Sequence, residues 1–126
     1  MTRYILCRLA EKDMTKENFI DLWKYQENQS KDKYFWTIEH ILPQSSKIES
    51  HMHKIGNLTM SGFNSSLSDK GFAEKRDRKN GDGKYIGYKN GLNLNKDLAS
   101  KTTWTIADIE TRSERLIIEA MELFKL

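Results

Sequence analysis

The chain has 126 residues, of which 37% are hydrophobic and 31% charged, and a formal net charge of +3. This length suits one domain (1–126) with a modest core, and no apolar run approaches the length of a membrane span. The single cysteine, Cys7, excludes an intramolecular disulfide. Arg8, Glu11 and Lys12 interrupt the N-terminal apolar residues too early for a secretory signal peptide. A cytoplasmic protein is therefore expected.

The N-terminal part, residues 1–33, is predicted to be helical. Four apolar residues recur at helical spacing near the start of the chain: Tyr4, Ile5, Leu6 and Leu9. They predict a short amphipathic helix over residues 3–12. A second apolar set follows at similar spacing: Phe19, Ile20, Leu22 and Trp23. Thr15 can cap this second predicted helix.

Two strands are predicted next. Residues 34–42 begin with aromatic and β-branched side chains, which are typical of a strand. Pro43 cannot donate to a ladder and is expected to end that strand. Residues 44–54 are polar and predict a loop. After the turn signal Gly56-Asn57, Leu58–Met60 predicts a short second strand.

A helix is expected to begin at Asn64, Ser65 or Ser66 and to run through Lys79, with Gly71 as a point of kinking or restart. With the two strands it makes residues 34–79 a predicted ββα core.

Residues 92–126 are predicted to be helical again. A short helix is expected between Asn93 and Ser100. The last helix should be capped by Thr105, with Asp108 three residues on. Its apolar stripe has six members: Ile109, Leu116, Ile117, Ala120, Met121 and Phe124.

Three polar residues border apolar runs where the first strand ends and the central helix begins: Glu39, His40 and Asn64. A histidine with a pKa near neutrality can accept a proton from water. Carboxylate and amide oxygens are ligands that Mg²⁺ accepts. Glu39 and His40 are neighbours on a strand and point to opposite faces, so they share a site only if the strand ends or bulges there. The set predicts a metal-assisted phosphodiester hydrolase.

A longer pattern surrounds these residues. It comprises Glu39–Gln44, His53–Met60 and Asn64–Phe72, with Lys75, Leu94–Ala99, Trp104, Ile109 and Arg112 further along. This pattern resembles the ββα-metal, or His-Me finger (HNH), nucleases. It resembles more closely the C-terminal nuclease domain of GmrSD-type modification-dependent restriction endonucleases, which act in anti-phage defence.

The resemblance implies an α+β fold with a ββα-metal centre packed among helices. The implied activity is metal-dependent hydrolysis of DNA phosphodiester bonds. Within the catalytic set, His40 would be the general base, and Glu39 and Asn64 would hold Mg²⁺ or Mn²⁺. Asn57 would brace the loop between the strands without touching the metal. Many HNH nucleases have an aspartate at the position of Glu39.

Positive charge is concentrated after this site. From Lys70 to Lys84 there are six basic and three acidic residues, a local net charge of +3. Six residues are expected to contact the DNA backbone: His53, Lys70, Lys75, Arg76, Arg78 and Lys79. Phosphate contacts of this kind supply most of the affinity that is independent of sequence. An ordinary solvated helix face is the alternative.

Other interpretations remain open from the sequence. His40 could be a hydrogen-bonded core histidine, and Asn64 could be only a helix cap. At the level of function, the alternatives are a non-catalytic DNA-binding module and an RNase-type effector. In the resembling family a ParB-like nucleotide-hydrolysing domain usually precedes the nuclease, and no Gly-rich phosphate loop of that kind is visible in this sequence.

Overall fold

The longest described helix is C-terminal, and the first 3₁₀ turn and the N-terminal helix pack against it. The computed structural model describes residues 1–12, 14–17, 19–24, 34–42, 51, 53–62, 67 and 70–125. Within these ranges the helices are α1 (Thr2–Glu11), α2 (Phe72–Asp77), α3 (Lys96–Ala99) and α4 (Ile106–Leu123). The strands are β1 (Thr37–His40) and β2 (Leu58–Ser61), and two 3₁₀ turns span Ile55–Asn57 and Asn93–Asn95. The predicted α+β class is confirmed.

β1 and β2 form an antiparallel pair in which His40 lies opposite Leu58 and Glu39 lies opposite Thr59. Residues directly opposite each other share a face of the sheet, and successive residues alternate between faces. Leu58 and Met60 join the core cluster that also contains residues of α1 and α4. The opposite face of the pair, which carries Glu39 and Thr59, is polar.

The first strand is shorter than predicted, because residues 34–36 precede the ladder. Arg3 from α1 occupies this region. Its guanidinium donates to the carbonyl of Trp36 at 3.0 Å and lies 3.6 Å from the centre of the Tyr34 ring. A carbonyl that accepts from Arg3 is directed towards α1, which explains why pairing begins only at Thr37.

The predicted second helix is wrong. Neither residues 14–17 nor 19–24 are helical. The amide of Trp23 donates to Asp21 Oδ1 at 3.0 Å, and the carbonyl of Leu22 accepts from Arg3 at 2.6 Å. Such side-chain bonds satisfy the backbone without a helical ladder. Leu22 is buried in the core, whereas Phe19 is exposed.

α4 confirms the predicted cap and corrects the predicted stripe. The Thr105 side chain accepts from the Asp108 amide, and the Asp108 carboxylate accepts from the Thr105 amide. Its buried residues are Ile109, Arg112, Ser113 and Leu116. Met121 is 69% exposed, and Ile117 and Phe124 are exposed as well. Among the described helices, α4 included, none has the combination of length and apolar character that a membrane crossing requires.

Close packing of α4 on the first 3₁₀ turn fixes the start of β2. A Cβ atom at Gly56 would lie 2.1 Å from the carbonyl oxygen of Ile109, so the helix and turn meet backbone to backbone. The Gly56 amide donates to Ser113 Oγ at 2.9 Å. The side chain of Arg112 donates to the carbonyls of Gly56 and Leu58. Asn57 is thereby held between two residues whose backbone is anchored to α4.

Candidate active site

His40 is the last residue of β1 and is half-buried. Its Nε2 lies 3.2 Å from Nδ1 of His53, and the two rings are nearly perpendicular. Burial lowers the pKa of His40 below its ordinary value, and electrostatic interactions with His53 and Lys75 lower it further. The imidazole is therefore neutral at pH 7, which is the form that accepts a proton.

Asn57 closes the loop that leaves β1. Its Oδ1 accepts from the Leu42 amide at 2.8 Å, and its Nδ2 donates to the Leu42 carbonyl at 3.1 Å. Trp104 Nε1 donates to the same Oδ1 at 3.1 Å, and the Asn57 carbonyl accepts from the Ile41 amide at 2.8 Å. Asn57 is fully buried. Through these bonds Asn57 joins the 3₁₀ turn before β2 to the chain that leaves β1.

Glu39 lies on the opposite face of β1 from His40 and is 2% exposed. One carboxylate oxygen is 3.3 Å from Nζ of Lys75, and the other accepts a hydrogen bond from the hydroxyl of Tyr88. Burial raises the pKa of Glu39, while Lys75 and Tyr88 act in the opposite direction. The pKa of the Tyr88 hydroxyl is raised by burial and by Glu39, so it remains a donor.

This arrangement does not fit the predicted role of Glu39 as a metal ligand. Both carboxylate oxygens are engaged, and an ammonium 3.3 Å away would repel a divalent cation. In the described ranges no group of three or more His, Cys, Asp or Glu could hold a metal ion. Asn64, the other predicted ligand and catalytic residue, lies outside the described residues, as does the predicted start of the central helix.

The basic residues predicted to contact DNA fall into different environments. Lys75 is fully buried, so its prediction as a phosphate contact is wrong: Glu39 and two backbone carbonyls occupy its ammonium. Arg76 is directed to Asp77 and to the Lys101 carbonyl. The other four differ in exposure and position. His53 is exposed beside His40, Lys70 is half-buried before α2, and Arg78 and Lys79 are exposed after α2.

Tyr88 and the pairing of His40 with His53 were not predicted from the sequence. Tyr88 lies between the predicted ββα core, residues 34–79, and the predicted helical part, residues 92–126. One signal was present: Glu39 stands inside an apolar strand, and a buried carboxylate requires nearby donors. The pattern did not show which donors those are, because Lys75 and Tyr88 are 36 and 49 residues away along the chain.

The described parts therefore define a small α+β domain whose candidate acid–base group, His40, stands at the end of a braced antiparallel hairpin. The model of the GmrSD restriction endonuclease C-terminal domain family matches residues 1–118, from α1 into α4. The chain belongs to that family. Comparisons with curated proteins and with solved structures found no match.

Proposed function

We propose that this chain is a restriction-endonuclease-type nuclease domain that hydrolyses DNA phosphodiester bonds with His40 as general base. The observation that carries the proposal is a half-buried imidazole at the end of β1, 3.2 Å from His53 and within the family match. The lowered pKa of His40 agrees with this role. We further propose that β1, β2 and the segment beginning at Asn64 form an HNH-type ββα centre. By the same resemblance, a ParB-like nucleotide-hydrolysing domain would be its partner in anti-phage defence.

The proposed reaction uses the neutral form of His40. The imidazole takes a proton from a water molecule as the water oxygen bonds to phosphorus, and the bond to the departing ester oxygen breaks. His53, 3.2 Å away, is placed to orient the His40 ring. Asn57 holds the backbone at Leu42 and limits displacement of the adjacent histidine.

Mg²⁺ or Mn²⁺ remains part of the proposal through the resemblance, although Glu39 does not fit as its ligand. A divalent cation would stabilise the negative charge that develops on the phosphoryl oxygens. We expect excess EDTA to abolish cleavage and added Mg²⁺ to restore it, as measured by nicking of a supercoiled plasmid. Full activity in EDTA would contradict the metal requirement.

The same assay tests the substrate. Plasmid DNA and a single-stranded RNA are incubated separately with the wild-type protein and with His40→Ala. Cleavage of DNA that depends on His40 supports the proposal. Cleavage of RNA alone would indicate an RNase-type effector, and DNA binding without cleavage of either substrate would indicate a non-catalytic module.

Arg78 and Lys79 are the exposed basic pair after α2, and we propose that they contact DNA phosphates. Each phosphate contact contributes roughly 0.9 to the slope of log affinity against log salt on duplex DNA. Arg78→Ala combined with Lys79→Ala should therefore weaken binding to all sequences alike and flatten that slope by about 1–2. Fluorescence anisotropy at several salt concentrations measures both quantities.

The matched control is Lys16→Ala combined with Lys125→Ala, which removes the same charge from two other exposed positions. An equal change in slope for both double variants would show that net charge, and not the segment after α2, determines DNA affinity.

A further inference from the structure

Lys75 on α2 places a fully buried ammonium against the end of β1. Its Nζ donates to three acceptors on consecutive residues: Glu39 Oε1 at 3.3 Å, the His40 carbonyl at 2.9 Å and the Ile41 carbonyl at 3.4 Å. An ammonium has three donors, and a buried one is costly unless they are paired. All three donors therefore have acceptors at the point where the candidate base is attached.

The position of these contacts matters because the β1–β2 ladder ends at the His40–Leu58 pair. Beyond it, the chain is held from two sides. Asn57 binds the amides of Ile41 and Leu42 and the Leu42 carbonyl, while Lys75 binds the carbonyls of His40 and Ile41. The backbone is thus fixed immediately around His40, while the imidazole stays on the other face of the strand.

Tyr88 ties the lysine and the carboxylate together. Its hydroxyl donates to Glu39, and its amide donates to the Lys75 carbonyl at 3.2 Å. Gly87 allows this approach, since a Cβ atom there would lie 1.6 Å from the same carbonyl oxygen. Glu39, Lys75 and Tyr88 therefore form one buried unit joining β1, α2 and the 85–89 segment. We call it the clamp.

We propose that Lys75 is a positioning residue for the nuclease reaction, that the clamp sets the placement of His40, and that Glu39 is the counter-charge of Lys75 instead of a metal ligand. This inference rests on the proposed function. It differs from both predictions made for these residues: Lys75 acts on the backbone of His40 and not on phosphate, and Glu39 acts on Lys75 and not on a cation.

The first experiment compares kcat, KM and DNA affinity for wild type and Lys75→Met, which keeps the length of the side chain without its charge. A small misplacement of a reacting group can cost roughly 10²-fold in rate. We expect kcat to fall by about that factor, while KM, DNA affinity and its salt dependence stay near the wild-type values. Weaker binding with a flatter salt slope and unchanged kcat would overturn the clamp and restore Lys75 as a phosphate contact.

Amide hydrogen exchange supplies a readout that does not depend on turnover. Loss of the clamp should accelerate exchange at Ile41 and Leu42 in folded Lys75→Met, and unchanged exchange there would contradict the proposal. If Lys75→Met fails to fold, Tyr88→Phe removes only the hydroxyl that holds Glu39. Tyr88→Phe should lower kcat by a smaller factor than the one expected for Lys75→Met. The control is Tyr85→Phe on the neighbouring exposed tyrosine, and an equal effect of both variants would contradict the clamp.

The role of Glu39 is tested by measuring the affinity of the DNA-free protein for Mn²⁺ with electron paramagnetic resonance. Glu39→Gln should leave Mn²⁺ affinity unchanged and lower kcat. A marked loss of Mn²⁺ affinity in the folded variant would overturn the proposal, because it would identify Glu39 as a ligand. The two proposals fail differently: a wild-type protein that cleaves neither DNA nor RNA overturns the proposed function, whereas active wild type with fully active clamp variants overturns only the clamp.

Discussion

Replacing His40 with alanine is expected to lower DNA cleavage by about 10²–10⁴-fold, the usual contribution of a general base. The imidazole is half-buried at the end of β1, lies 3.2 Å from His53 and has a lowered pKa. Its loss removes the proton acceptor without removing a core side chain, so folding and DNA affinity should be retained. Plasmid nicking measures the rate, and circular dichroism and anisotropy measure the other two properties.

The matched control is His51→Ala, since His51 pairs with Glu110 of α4 at 2.8 Å. It should cleave at close to the wild-type rate. A folded His40→Ala protein with near-wild-type cleavage would exclude His40 as the base.

The pH profile gives a second readout of the same assignment. Only neutral His40 can accept a proton, so activity should fall as the pH drops through its pKa. Because burial, His53 and Lys75 lower that pKa, the fall should lie below pH 6.5, the ordinary value for histidine. An acidic limb centred above pH 6.5 would contradict the assignment.

Features that depend on nearby residues were predictable from the sequence. The α4 cap needs only Thr105 and Asp108, three residues apart, and it forms as predicted. β2 follows from a short apolar run after a turn signal. His40 and Asn57 are predicted from short motifs that are specific in combination, and their roles at the candidate site stay predictions.

Features that depend on distant partners were not predictable in the same way. The prediction of the second helix was wrong because Arg3, on another element, donates to the carbonyl of Leu22. Lys75 lies in a segment whose composition is typical of a solvated helix face. Only the fold brings its ammonium against Glu39. In each case a side chain far along the sequence satisfies a buried polar group, and local periodicity contains no information about it.

The prediction of the buried face of α4 was partly wrong for a related reason. Helical periodicity identifies Ile109 and Leu116 as buried, but the surface they meet includes the backbone of the 3₁₀ turn before β2. Free carbonyls on that surface require donors. Arg112 supplies them from the middle of the buried face, and the more C-terminal apolar residues Ile117 and Met121 are left exposed.

Arg112 is therefore expected to contribute strongly to stability. Its side chain is 2% exposed and donates to the carbonyls of Gly56, Leu58 and Leu94 and to Asp97. Arg112→Met leaves the three carbonyls without this donor, whereas Asp97 still accepts from Arg115. Leaving a buried acceptor unsatisfied costs about 1–3 kcal/mol, so with three carbonyls affected the free energy of unfolding in urea should fall by about 3 kcal/mol or more.

Arg115 provides the matched control, because it donates to the same Asp97 oxygen at the same 2.9 Å but is 48% exposed. Exposed ion pairs contribute about 0–1 kcal/mol, so Arg115→Met should have a correspondingly small effect on unfolding. Equal effects of the two variants would mean that the carbonyls of Gly56 and Leu58 find other donors.

The loss of Arg112 should also affect the candidate site, because the carbonyls of Gly56 and Leu58 flank Asn57. Where Arg112→Met remains folded, its hydrogen exchange at Leu42 should increase, since the asparagine that holds Leu42 has lost its anchor to α4.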